Sequence, residues 1–319
     1  MQLAFCVPSI IGLFLTLSAN VIGVPTSQPP SCCQSRLNVS PFYWFSFGDS
    51  YTATGFNSFG TLPSVGNPLG NPAYPGLTGG GGANWVDYLT TTYNQSLTMT
   101  YNLAKGGATI NSSLVTPGAG VSLEDEVNTF LSKFAHSPPS TPWMTENTLF
   151  SIWIGINDIG NTFYNGGDRD VFSDVLLDSY FKLVEQLRHQ PSASPSDSQA
   201  KARIFLFINV PPVDRSPLML AQSVSVQEKE RSVIAGFNDK LQTRIDRFKG
   251  NHTDVRVWHW DSHTVFTSIL DDPTSYGFQD ATSYGDNPSY FWGNSYHPGA
   301  AAHKIFAMHI SDTLDGFPW

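Results

Sequence analysis

Residues 45–51 read Phe-Ser-Phe-Gly-Asp-Ser-Tyr, and the stretch changes character at Gly48. The run before it, from Pro41 to Phe47, is apolar, rich in aromatic residues and of strand length. Ser50 therefore follows the carboxyl end of a predicted buried strand, the edge at which open α/β sheets bind ligands. A serine hydroxyl there is a candidate nucleophile if a base lies within reach. The alternative is that Asp49 or Ser50 caps a following helix.

Apolar segments of strand length alternate with segments of helical periodicity along the rest of the chain. Helices between parallel strands cover both faces of a sheet and are joined to it by right-handed crossovers. The pattern predicts an α/β fold, a three-layer α/β/α sandwich with a five-stranded parallel sheet. The predicted strands are residues 41–47, 97–103, 148–154, 203–210 and 254–260, and the predicted helices are a short one from residue 84 and residues 122–134, 170–189, 225–248 and 298–314.

The first 35 residues carry no charged side chain, and Leu3 to Leu17 is mostly apolar. We interpret residues 1–23 as a secretory signal peptide, although no positively charged segment precedes the apolar run. A transmembrane anchor is the alternative, but such a helix needs roughly 20 apolar residues. Residues 24–40 are predicted to be a loosely ordered lead-in, and residues 41–319 a single domain. The expected location is extracellular, with no membrane anchor once the signal is cleaved.

The composition supports an exported single domain and not a nucleic-acid-binding protein. Charged residues make up 13% of the 319 residues, and the formal net charge is −9. An acidic surface gains nothing from contacts with phosphates, so nucleic acid is excluded as a partner. No segment repeats at a fixed period, and we expect a monomer.

Four Asn-x-Ser/Thr tripeptides lie at Asn38, Asn94, Asn111 and Asn251. In a secreted eukaryotic protein these asparagines are acceptors for N-linked glycans. The motif also arises by chance, so the sequence predicts candidate sites and not their occupancy.

The cysteines and histidines do not form a recognisable metal site. Cys6 lies in the signal, so only Cys32 and Cys33 remain; they could form a vicinal disulfide, pair with another chain or stay free. His259 and His263 have the separation of a zinc pair. However, His259 falls within a predicted strand, and the glutamate of His-Glu-x-x-His is missing. We expect no metal and no cofactor.

A polar region rich in glycine, proline and asparagine spans residues 57–82 and ends in four consecutive glycines, residues 79–82. A phosphate-binding loop needs Gly-Lys-Ser/Thr after such glycines, and none follows. We interpret the region as a surface loop beside the candidate nucleophile, where substrates are recognised. Trp85, just beyond it, is either a core residue or a platform for a sugar.

Four short blocks occur in order: Gly-Asp-Ser at 48–50, Asn-Leu-Ala-Lys-Gly-Gly at 102–107, Gly-Ile-Asn-Asp at 155–158 and Asn-Ser-Tyr-His-Pro at 294–298. Their order, spacing and positions at strand ends resemble the GDSL, or SGNH, hydrolase family over roughly residues 42–310. The resemblance implies a flavodoxin-like sheet and a serine esterase. The Gly-x-Ser-x-Gly elbow of α/β-hydrolases is absent, which separates this chain from that lipase fold.

The resemblance assigns an oxyanion hole to three of these blocks. Ser50 would supply the nucleophilic hydroxyl and a main-chain N–H, Gly107 a second N–H and Asn157 a side-chain donor. Gly106 competes with Gly107 for its role, and the family spacing from Asn102 favours Gly107. Taken alone, Asn157 is a turn residue and Gly107 a turn glycine.

His297, just before the closing helix, is the implied general base. Most members of the family carry aspartate three residues before this histidine, whereas this chain has Asn294. An amide oxygen can accept the imidazole N–H, as in papain-like proteases, but it carries no negative charge. We therefore expect a Ser50–His297 dyad oriented by Asn294, with Asp286 or the main chain as alternative orienting groups.

Residues 284–294, together with the signal peptide and the glycosylation motifs, resemble the secreted fungal branch that includes carbohydrate acetyl esterases. That resemblance implies removal of acetyl groups from plant cell-wall carbohydrate through an acyl-enzyme, with a small ester or an acetylated oligosaccharide as the substrate. The alternatives are a lipase or phospholipase of the same family and a carbohydrate-binding relative that has lost turnover. The sequence does not decide the acyl chain length.

Overall fold

The computed structural model describes residues 41–189, 201–317 and 319. The predicted signal peptide (1–23) and lead-in (24–40) lie outside these residues, and so do Cys32, Cys33 and Asn38. Within the described ranges no helix is both long and apolar enough to cross a membrane.

Five parallel strands form the sheet, in the order β2-β1-β3-β4-β5. The predicted five-stranded parallel sheet is confirmed, and β1 with the candidate nucleophile lies near its centre. The strands are β1 (Phe42–Gly48), β2 (Thr98–Asn102), β3 (Thr148–Trp153), β4 (Ile204–Ile208) and β5 (Arg256–Trp260).

Helices cover both faces, as the three-layer prediction requires. α1 and α8 pack together on one face, and α2, α4 and α6 pack side by side on the other. The helices are α1 (Trp85–Thr91), α2 (Leu123–Lys133), α3 (Ile156–Gly160), α4 (Arg169–Arg188), α5 (Pro217–Leu220), α6 (Val224–Asn251), α7 (Ser262–Asp271) and α8 (Ala300–Thr313).

Both faces of β1 are buried, and each is packed differently. Phe45 is fully buried on one face, with its ring 4.7 Å from that of Phe130 and 5.5 Å from that of Phe150. On the other face the Trp44 indole N–H donates to Ser151 Oγ at 2.8 Å. Each aromatic pair that Phe45 forms with Phe130 or Phe150 adds about 0.5–1.5 kcal/mol beyond the area it buries. The strand that leads to Ser50 is thus anchored on both sides.

The ends of β1 and β3 lie side by side because Gly48 pairs with Trp153. Gly48 has φ +146°, and a Cβ there would overlap the Trp153 carbonyl oxygen, so a glycine is required at this point. The pairing brings the loop after β1 and the loop after β3 to one edge of the sheet. Ser50 and Asn157 therefore share that edge.

The structure refines several sequence-based expectations. The closing helix begins at Ala300 and not at Pro298, because Pro298 forms a bridge with Trp292 and Gly299 N–H donates to Phe291 O. Trp85 has 0% of its surface exposed, so it is a core residue and not a sugar platform.

Candidate active site

Ser50 lies in a tight turn that follows β1 directly. The main-chain N–H groups of Thr52 and Ala53 both donate to Asp49 O, at 3.0 and 2.8 Å. The Asp49 side chain accepts the Tyr51 N–H at 3.0 Å. No helix starts here in the described residues, since α1 begins only at Trp85. The alternative that Ser50 is a helix cap is therefore wrong.

Two buried side chains that the sequence analysis missed hold this turn. Glu126 accepts the N–H of Gly48 at 2.9 Å and that of Lys105 at 3.0 Å, so one carboxyl group joins the ends of two strands. Asn102 donates from Nδ2 to Thr52 O at 2.7 Å. A detectable signal was present in the helix, because Glu126 is an acidic residue on its otherwise apolar, buried face.

His297 connects Ser50 to Asn294. Its Nε2 lies 2.7 Å from Ser50 Oγ, and its Nδ1 lies 3.1 Å from Asn294 Oδ1. Asn294 Oδ1 also accepts the N–H groups of Tyr296 and His297, at 2.9 and 2.8 Å. Asp286, the other candidate orienting residue, is exposed and makes no hydrogen bond to His297 in the described structure.

A tyrosine next to the nucleophile also supports the histidine loop. The Tyr51 hydroxyl donates to Tyr296 O at 2.5 Å, and the Tyr51 ring lies 5.4 Å from the His297 ring. Tyr51 is fully buried. Nothing local in the sequence indicates this contact, because the two partners are 245 residues apart.

The candidate oxyanion donors come from the loops after β1, β2 and β3. Among the described residues, the main-chain N–H groups of Ser50 and Gly107 have no hydrogen-bond partner. Asn157, in the first turn of α3, donates one Nδ2 hydrogen to Ala108 O at 2.9 Å, which leaves the second free. A Cβ added to Gly106 would lie 4.0 Å from Ser50 Cβ, whereas one added to Gly107 would meet the main chain of Gly118 and Ala119.

Burial sets the charge state of the site. It lowers the pKa of His297 to about 4, so the imidazole is neutral at neutral pH. It raises the pKa of Asp49 to about 8 and that of Asp158 to about 7. Burial also raises the pKa of Glu126, against the two N–H groups that favour its ionised form. A neutral imidazole with a free Nε2 lone pair can act as a general base.

A cavity of about 240 Å³ opens beside Ser50. Lys105 carries the one charged side chain among the residues that line it, and its Nζ donates to Phe56 O at 2.6 Å. Small residues make up most of the wall. The lining consists of Ser50, Ala53, Gly55, Leu77, Thr78, Gly79, Ala104, Lys105 and Gly106.

The predicted glycan acceptors differ in accessibility. Asn251 is exposed. Asn94 and Asn111 are half-buried, and their Nδ2 atoms donate to Ser96 O at 2.6 Å and to Ser179 Oγ at 3.2 Å. Glycosylation stays a prediction, and Asn251 is the described site that offers its amide most freely.

The chain is similar to one described family and to several known proteins. Residues 45–310 match the family described as GDSL-like Lipase/Acylhydrolase. An acetylesterase from the fungus Thermothelomyces thermophilus is 36% identical, over 96% of this chain and 99% of its own. A GDSL esterase/lipase from Arabidopsis thaliana is 27% identical over 49% of each chain. The solved structure of Axe2, an acetylxylan esterase from Geobacillus stearothermophilus, has a TM-score of 0.46 and 13% identity, covering 86% of this chain and 94% of that one.

The family match spans the Ser50 turn, the His297 loop and all of the sheet except its first three residues. The relative from Thermothelomyces thermophilus extends the similarity to almost the full length of both proteins. The chain belongs to the GDSL-like lipase/acylhydrolase family of carboxylic ester hydrolases.

Proposed function

We propose that this chain is a secreted serine esterase that removes acetyl groups from carbohydrate esters, most of all those of plant cell walls. The observation that carries the proposal is the 2.7 Å contact between Ser50 Oγ and His297 Nε2. It places a base within hydrogen-bond reach of an otherwise weak nucleophile. The acetylesterase at 36% identity supports the choice of acyl group.

The proposed reaction has two halves. In the first, His297 Nε2 takes the Ser50 proton while Oγ bonds to the ester carbonyl carbon; the bond to the alcohol oxygen then breaks, and that alcohol leaves with the proton. In the second, water gives a proton to His297 and attacks the acyl-enzyme, which releases the acid and restores Ser50. The N–H groups of Ser50 and Gly107, with the Asn157 amide, would stabilise the oxyanion in both halves.

The cavity beside Ser50 supports a polar alcohol rather than a fatty chain. Lys105 uses one of its three N–H donors on Phe56 O, which leaves two for a ligand. An ammonium group facing a bound alkyl chain would lose hydration without a partner. Sugar hydroxyls would instead accept hydrogen bonds from the Lys105 ammonium group. Residues 1–23, as a signal peptide, support secretion.

Ser50→Ala tests the nucleophile. We expect hydrolysis of 4-nitrophenyl acetate to fall to trace levels with an unchanged thermal unfolding temperature, because a small, half-buried turn hydroxyl contributes little to packing. Ser112→Ala, an exposed serine on another loop of the chain, is the control and should retain full activity. Turnover by Ser50→Ala above trace levels would show that Ser50 is not the nucleophile. Sugar binding by the parent without turnover would instead support a non-catalytic relative.

Lys105→Met tests the substrate class. The KM for acetylated xylo-oligosaccharides should rise by roughly 10-fold, the value of about one hydrogen bond to a charged group, while kcat/KM for 4-nitrophenyl acetate stays within a few-fold. Lys133→Met is the control, since Lys133 lies over the Phe59 ring and does not line the cavity. A preference of the parent for 4-nitrophenyl palmitate over the acetate would favour a lipase.

A further inference from the structure

The side-chain amide of Asn294 is fixed in one orientation by main-chain groups. Its Oδ1 accepts the N–H groups of Tyr296 and His297, while its Nδ2 donates to Gly79 O at 2.8 Å. Exchanging Oδ1 and Nδ2 would place the side-chain NH₂ against the N–H groups of Tyr296 and His297, which are donors themselves. It would also place the side-chain oxygen against Gly79 O, which is an acceptor. The hydrogen-bond partners therefore decide the orientation without reference to the histidine ring.

This orientation in turn fixes the tautomer of His297. An amide oxygen only accepts, so the Nδ1 atom that lies 3.1 Å from Asn294 Oδ1 carries the ring proton. Nε2 is then unprotonated and faces Ser50 Oγ at 2.7 Å. The opposite amide orientation would present NH₂ to Nδ1 and leave the proton on Nε2, where it would block proton transfer from Ser50.

The four-glycine segment, residues 79–82, reaches this position by close backbone packing. A Cβ on Gly79 would lie 2.8 Å from His297 Cδ2 and 2.9 Å from Ser50 O. A Cβ on Gly80 would overlap Pro298 O, and one on Gly293 would overlap Gly80 O. Only residues without side chains allow the segment to lie this near the histidine loop.

We propose that the Gly79 carbonyl is a positioning group for the base. By accepting the Asn294 amide it holds Oδ1 toward His297, and this is how a neutral asparagine selects the productive tautomer. The inference rests on the proposed roles of Ser50 and His297. It has a counter-intuitive consequence: aspartate at position 294 would set a carboxylate oxygen against the Gly79 carbonyl oxygen, two acceptors at hydrogen-bond distance.

The decisive variant is Asn294→Asp, which keeps size and shape. At about pH 8 its kcat should be at least ~10-fold below the parent, the cost of losing one hydrogen bond and opposing two acceptors. As the pH falls through the pKa of the introduced carboxyl group, the ratio to the parent should recover, because a protonated carboxyl group can donate to Gly79 O as the amide does. A merely structural role would not produce this pH dependence. Full activity at pH 8, or an equal loss at every pH, would overturn the proposal.

Gly79→Ala gives an independent test, read as kcat and KM for 4-nitrophenyl acetate beside the thermal unfolding temperature. We expect kcat to fall at least ~10-fold with KM nearly unchanged, since the new methyl group displaces the carbonyl and the ring together. Gly166→Ala is the control and should match the parent, because a Cβ added there would have no atom within 4 Å. A folded Gly79→Ala variant with parental kcat would contradict the proposal. If Ser50→Ala is inactive but Asn294→Asp is fully active at pH 8, only this inference fails and the proposed function stands.

Discussion

The nucleophile and the base are held by two different kinds of structure. Ser50 sits in a turn at the end of a central strand, fixed by Glu126 and by the sheet itself. His297 sits in a segment without regular secondary structure, fixed by Asn294, by the Tyr51 hydroxyl and by glycine backbone. The Ser50 turn is thus set by the fold, whereas the His297 loop is set by one local contact and a few long-range ones. Single substitutions should therefore displace the His297 loop more readily than the Ser50 turn.

Burial shifts the pKa values of the two regions in opposite directions. It raises the pKa of Asp49, beside Ser50, to about 8 and lowers the pKa of His297 to about 4. In both regions it favours the neutral form, because a charge loses hydration there. A site built from neutral groups must stabilise an oxyanion with hydrogen-bond donors, and after the loss of Ser50 or His297 themselves this gives the largest of the expected mutational effects.

Asn157→Ala should lower kcat by roughly 10²–10³ with little change in KM, because the oxyanion forms only beyond the ground state. Steady-state kinetics with 4-nitrophenyl acetate would measure it. Asn161→Ala, an exposed asparagine at the end of the same helix, is the control. A rise in KM alone would show that Asn157 binds substrate and does not stabilise the transition state.

Glu126→Ala would break the Ser50 turn. It leaves the buried N–H groups of Gly48 and Lys105 without their acceptor, at roughly 1–3 kcal/mol for each. We expect the free energy of unfolding in urea to fall by about 2 kcal/mol or more, with a loss of activity. Glu124→Ala on the same helix, which makes no side-chain hydrogen bond in the described structure, should change stability by less than about 0.5 kcal/mol. Equal losses of unfolding free energy in the two variants would show that Glu126 does not hold the Ser50 turn.

Tyr51→Phe would loosen the His297 loop. It removes one hydrogen bond, to Tyr296 O, and keeps the ring in place. The expected loss is about 1 kcal/mol, a few-fold decrease in kcat. Tyr180→Phe is a matched control, because its buried hydroxyl has no hydrogen-bond partner in the described part of the chain and lies on α4. Parental kcat in Tyr51→Phe would show that the loop does not depend on this contact.

Stability should decline at alkaline pH. The folded pKa values of Asp49, Asp87, Asp158 and Glu230 are raised by burial to about 7 or 8, above their usual values near 4. These groups keep protons in the folded state that the unfolded chain has released, so stability falls as pH rises from about 4 to about 8. Histidines with lowered pKa values are neutral in both the folded and the unfolded state above about pH 6.5, so they do not change the pH dependence of stability there. Thermal unfolding at about pH 6 should occur at a higher temperature than at about pH 8.5, and the reverse order would contradict this assignment.

The sequence predicted the Ser50 turn better than its surroundings. An aromatic strand that ends at a glycine is a local pattern, so β1 and the place of Ser50 followed from it directly. The pairing of His297 with Ser50 came from a family resemblance, and the structure brings the two side chains together. The roles of Glu126 and Tyr51 were missed because each contact joins residues far apart along the chain.

For residues 79–82, the sequence predicted the position of the segment but not the reason for its glycines. Their composition predicted a surface loop beside the nucleophile, and the structure places them there. However, the reason for the glycines is the close approach of Gly79 and Gly80 to the His297 loop. Such an approach depends on the three-dimensional path of both segments, and no local pattern encodes it.

The central claim is that a neutral, buried His297 activates Ser50. The most direct test is the rate at which a fluorophosphonate labels the protein across pH, with the labelled residue identified by mass spectrometry. We expect one labelled serine, Ser50, and a rate that stays level from neutral pH down and falls by half near pH 4, the lowered pKa of His297. His297→Ala should abolish the labelling. Labelling of another serine, a midpoint at the ordinary histidine value of about 6.5, or undiminished labelling of His297→Ala would contradict the claim.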